Sequence, residues 1–102
     1  MKLKRKITVS PWDASETLKS EEEMASYLSA ALEDGDPVVI KAAMADVAKA
    51  RNMTQLAKKM GITRQGLYKA FSPEGNPEFI TINKFLNAVG VRLRVVPMNV
   101  GA

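Results

Sequence analysis

The chain has 102 residues, 46% hydrophobic and 25% charged, with a net charge of +4 and neither cysteine nor histidine. This composition fits one soluble domain with a modest core; it excludes disulfides and zinc–thiolate clusters, and removes the commonest general base and metal ligand. The start, Met1-Lys-Leu-Lys-Arg-Lys6, has no apolar stretch behind its charges, and no apolar run approaches ~18 residues, so a cytoplasmic protein without a membrane span is expected.

In chain order, Lys6-Ile-Thr-Val-Ser10 reads as a short extended segment ended by Pro11-Trp12-Asp13. Trp12 either packs this arm onto the body or contacts a partner. Ser20-Glu-Glu-Glu23 is a capping box, and Met24, Leu28 and Ala31/Leu32 follow at helical spacing, which predicts an amphipathic helix over 21–33. Asp34-Gly35 ends it. Asp36 as N-cap and Pro37 at the first position start a second helix. Its apolar surface is read from Val38, Val39, Ala42, Ala43, Val47, Ala48 and Ala50, and it ends near Arg51-Asn52.

Thr54 is the expected cap of a third helix, with Gly61 at its left-handed C-terminal position. Thr63 caps a fourth helix that runs to about Phe71. The turn-rich Ser72-Pro-Glu-Gly-Asn-Pro77 follows. Thr81 is the expected cap of a fifth helix over 82–89, with Ile82, Phe85, Leu86 and Val89 inward and Gly90 as its stop. Val91-Arg-Leu-Arg-Val-Val96 alternates apolar and basic residues up to Pro97, the period of a half-buried strand. A single strand needs a pairing partner. The N-terminal segment or the same strand of a second subunit could supply one.

Charge is unevenly spread. Residues 1–10 net +4, residues 11–40 net −7, residues 41–71 net +6 and the remainder +1. The positive charge of 41–71 sits on and beside the third and fourth helices. Two short helices joined at Gly61, with Ala57 small at their approach and Leu56, Met60, Ile62 and Leu67 apolar, have the form of a helix-turn-helix. Its second helix exposes Arg64, Gln65, Tyr68 and Lys69, and Arg and Gln suit bidentate contacts with guanine and adenine edges. Gln55, Lys58, Lys59 and Thr63 are placed to meet phosphates. A helical hairpin whose polar face is merely wet is the competing reading of the spacing. The acidic residues of 11–40 either form a solvated face or complement a basic partner.

The segment 37–96 resembles Cro- and lambda-repressor-type helix-turn-helix domains. From about residue 10 to 97 the chain resembles the antidote proteins of chromosomal addiction modules. Pro11-Trp12-Asp13, Tyr27-Leu28, Ala30-Ala31-Leu32, Gly35-Asp36-Pro37, Asn52-Met-Thr-Gln-Leu-Ala57, Leu67-Tyr-Lys-Ala-Phe71, Ser72-Pro-Glu-Gly-Asn-Pro77 and Leu93-Arg-Val-Val-Pro97 carry this resemblance. It implies the antitoxin of a type II toxin–antitoxin module, a homodimer that neutralises a small basic RelE-like ribonuclease and represses its own operon on double-stranded operator DNA. A helix-turn-helix regulator without a toxin is the alternative.

The fold expected is mainly α, a five-helix lambda-repressor-like domain with a C-terminal strand paired across a dimer. Residues 1–19 are an arm, 20–97 the domain and 98–102 a tail. DNA is assigned to Gln55, Lys58, Thr63, Arg64, Gln65, Tyr68 and Lys69; dimerisation to Val91, Leu93, Val95 and Val96; and the toxin to Trp12, Glu21, Glu22 and Glu23. Glu21, Glu22 and Glu23 have no nucleophile or phosphate loop beside them, so no enzyme, cofactor or metal site is expected.

Overall fold

A computed structural model describes residues 18–98. The expected extended segment 6–10, Trp12 and the last four residues lie outside that range. Five α-helices follow in order: α1 Glu21–Asp34, α2 Pro37–Ala50, α3 Met53–Met60, α4 Arg64–Ala70 and α5 Phe79–Val89.

Four of the five helix starts are capped by a side chain two or three residues from the amide it accepts from. At the start of α1, Glu23 N–H donates to Ser20 Oγ at 3.1 Å, and Glu23 Oε1 accepts from Ser20 N–H at 3.0 Å, closing the capping box. Asp36 accepts from Val38 N–H at 2.9 Å to open α2, with Pro37 at its first position. Gly61, at φ 76°, ends α3 in a Schellman motif: its N–H donates to the Lys58 carbonyl and that of Ile62 to the Ala57 carbonyl. This closure turns the chain into α4 within three residues.

Two starts differ from expectation. Asn52, not Thr54, caps α3: it takes a positive φ of 71° and its side chain accepts from Gln55 N–H at 3.1 Å. Asparagine tolerates that backbone better than most residues, so the helix begins before Thr54, which lies in its first turn. α5 likewise begins at Phe79 rather than Ile82. The Glu78 carbonyl accepts from Thr81 and Ile82 N–H, with no side-chain cap. In the first turns of α2 and α5, Val38, Val39, Phe79 and Ile80 are exposed, as is Ala42, although the apolar surface of α2 was expected to include Val38, Val39 and Ala42.

The C-terminal strand is corrected outright. No strand forms among the described residues, and the fold there is wholly helical. Val91 N–H is spent on the Leu86 carbonyl, closing α5 behind Gly90, and Pro97 has no N–H to give. Between them the alternation of 91–96 supplies a face but no neighbouring backbone for a ladder. Leu93, Val95 and Val96 stand exposed.

The core sits around α3, which packs on α2, α4 and α5, while α1 lies along α2. Met24, Met44, Met53 and Met60 are all buried in it beside Leu28, Val47, Leu56, Leu67, Phe85, Leu86 and Val89. Unbranched thioethers fill such irregular space between crossing helices. Ala48 and Ala57 keep α2 and α3 close to their neighbours. Tyr27 Oη donates to Asp46 Oδ2 at 2.5 Å, tying α1 to α2.

Candidate nucleic-acid interface

α4 is seven residues long and buries only Leu67, which is fully enclosed. Just beyond it Phe71 is buried edge-on against Phe85, with centroids 4.9 Å apart and planes at 68°. These two side chains hold the inner face down. Its start is fixed by Thr63, whose Oγ1 accepts from Gly66 N–H at 2.9 Å. A Cβ at Gly66 would come to 3.0 Å from that hydroxyl, so glycine leaves the cap its room.

With the inner face pinned, Arg64, Gln65, Tyr68 and Lys69 are exposed. Arg64 and Tyr68 are brought together: the guanidinium carbon lies 5.5 Å from the ring centroid, one turn apart on the helix. Such a cation–π contact pre-orients the guanidinium without consuming its donors. On α3, Gln55, Lys58 and Lys59 are exposed. Gln55 and Lys59 line an open groove with Arg51, Asn52 and Leu56, where α2 meets α3. Arg51 was missed in sequence, because its place beside Gln55 depends on the tight turn set by Asn52.

The acidic residues of α1 have separate local roles. Glu23 Oε1 is occupied by the Lys19 and Ser20 amides. Glu21 reaches over the end of α5, so closely that a Cβ at Gly90 would sit 2.7 Å from its Oε2. Glu22 lines a shallow groove with Leu18, Glu23, Ser26 and Tyr27. Of the residues assigned to dimerisation, Val91 is partly buried against the core, whereas Leu93, Val95 and Val96 face outward.

Among the described residues no group of acidic side chains is arranged to hold a metal ion, and no helix is long and apolar enough to cross a membrane. What the site offers is a convex cationic helix with planar donors, a geometry for docking rather than for enclosing a small molecule.

Residues 8–97 match the profile of a family described as "Probable addiction module antidote protein". A relative from Haemophilus influenzae named "Uncharacterized protein" is 44% identical over 84 residues, covering 82% of this chain and 87% of the relative. No solved structure matches the chain.

Proposed function

The chain belongs to the family of probable addiction module antidote proteins, and on that premise we propose that it is the antitoxin of a type II toxin–antitoxin module. It neutralises a small basic ribonuclease of the RelE type and represses its own operon as a homodimer. Operator DNA is read by a Cro-type helix-turn-helix formed by α3 and α4. The observation that carries the DNA half is the exposed face of α4, where Arg64 stacks on Tyr68 beside Gln65 and Lys69.

Arg64 and Gln65 read base edges. Gln55, Lys58, Thr63 and Lys69 meet phosphates or flank the groove, and Arg51 and Lys59 extend that cationic edge. Leu93, Val95 and Val96 supply an apolar contact between two copies, rather than a shared sheet. Recognition helices related by a two-fold axis would read half-sites roughly 34 Å apart in a palindromic operator. Leu93→Asp combined with Val95→Asp should leave a monomer in sedimentation equilibrium; a pair of charges that leaves the dimer intact places the interface elsewhere.

The toxin half draws on the family and on the acidic charge of α1, which complements a basic partner. Glu22 is the clean probe, because Glu23 serves the cap and Glu21 lies on Gly90. Glu22→Gln should slow toxin association about two- to fivefold, the size expected of one exposed charge, and leave operator affinity unchanged. An unaltered association rate would remove this face of α1 from the interface.

The reading is tested by looking for a small basic reading frame beside the gene and co-expressing the chain with its product. Co-purification of the two, with relief of growth arrest, is expected. A chain that purifies alone and gives no relief would be a regulator without a toxin.

A further inference from the structure

The 72–77 loop is used neither by the cationic face of α4 nor by the acidic helix, yet it is tied down along its length. Ser72 Oγ donates to the Lys69 carbonyl at 2.8 Å, and Gly75 N–H donates to the Ser72 carbonyl at 2.9 Å. Gly75 then passes flush against the end of α4: a Cβ there would lie 2.2 Å from the Lys69 oxygen and 2.4 Å from that of Ala70. No side chain fits in that space. From the other side, Lys41 Nζ in the second turn of α2 donates to the Pro73 carbonyl at 2.8 Å and to the Gly75 carbonyl at 2.7 Å. Hydrogen bonds from an ammonium are stronger than neutral ones. The contacts run unbroken from α2 through Lys41 and Gly75 to the last carbonyls of α4.

We propose that Lys41 is a positioning residue for base recognition, setting the angle of α4 by holding the 72–77 loop against its C-terminal end. The proposal rests on the reading of α4 as the helix that enters DNA. Leu67 and Phe71 pin the inner face of this seven-residue helix, and its tilt about that line is set by what abuts its last carbonyls. Bidentate contacts tolerate only small errors of angle, so a brace at the far end acts on discrimination between sequences more than on charge-driven affinity.

The test compares full-length wild type, Lys41→Met, which keeps the aliphatic stem without donors, and Lys41→Arg, which restores donors. Each is titrated over a range of salt on a duplex from upstream of its own gene and on a scrambled duplex of equal composition. Amide NMR spectra are recorded on the free proteins. Lys41→Met should bind the upstream duplex about tenfold more weakly and the scrambled duplex within about twofold of wild type, with an unchanged salt slope. Resonances of residues 65–70 should move, and Lys41→Arg should recover most of the loss.

Equal losses on both duplexes with a shallower salt slope would make Lys41 a phosphate contact and overturn the proposal. So would spectral changes confined to 73–76 with full affinity for the upstream duplex. If wild type fails to distinguish the duplexes, the DNA reading falls, and the resonances of 65–70 still decide whether Lys41 positions α4.

Discussion

Phe85→Ala is expected to lower the unfolding free energy by about 3–5 kcal/mol, the usual cost of emptying an aromatic site in a core. Phe85 is completely buried, and its ring faces the edge of Phe71 at the end of α4. The substitution removes the transfer free energy of one ring and leaves a cavity beside the other; the aromatic pair itself adds about 0.5–1.5 kcal/mol. A domain of this size has about 5–15 kcal/mol in total, so much of its stability is lost. Urea denaturation should show a lower midpoint at an unchanged slope. Phe79→Ala is the control within the same helix: the residue is 66% exposed, and a change within about 0.5 kcal/mol is expected. Similar losses at both positions would mean that α5 is turned differently from the packing described.

The second large effect falls on DNA. Arg64→Ala should cost about 1–3 kcal/mol in operator binding, concentrated at one base pair, so that substituting that base pair no longer matters to the variant. The Tyr68 ring 5.5 Å away holds the guanidinium in place, so Tyr68→Ala should act partly through Arg64. The double variant should then lose less than the sum of the two singles. Binding titrations on an operator series with single base-pair substitutions check this. A uniform loss at every position, accompanied by a shallower salt slope, would make Arg64 a phosphate contact instead.

What was legible in the sequence was local. The Ser20–Glu23 box, the Asp36-Pro37 start, the Gly61 turn and the Thr63 cap each depend on atoms within about four residues, and each forms as expected. The cap of α3 was harder: the tight turn out of α2 gives Asn52 a positive φ, and its side chain caps the helix two residues before the expected Thr54. At α5 the chain needed no side-chain cap, so Thr81 was a false marker.

The strand over 91–96 was misread because alternation describes one face of a segment, whereas a strand exists only through a ladder with distant backbone. Val91 was already committed to closing α5.

The exposed face of α4 was visible from the spacing of its polar residues. The support behind it was not: Lys41 meets Pro73 and Gly75 across 32 and 34 residues of sequence, and no local pattern announces such a contact. The acidic triplet shows the same limit from the other direction. The capping box marks Glu23 in sequence but leaves Glu21 and Glu22 alike, and folding separates them by setting Glu21 against Gly90 and Glu22 on the rim of a groove.

Sequence-specific DNA recognition by α4 is the proposal on which the other predictions for DNA depend. It is tested most directly by titrating the wild-type chain, at fixed salt near the physiological value, on the duplex upstream of its own gene and on a scrambled duplex of the same composition. A preference of about a thousandfold or more for the upstream duplex is expected. Equal affinity for the two would contradict it, leaving the cationic helix an unspecific phosphate-binding surface.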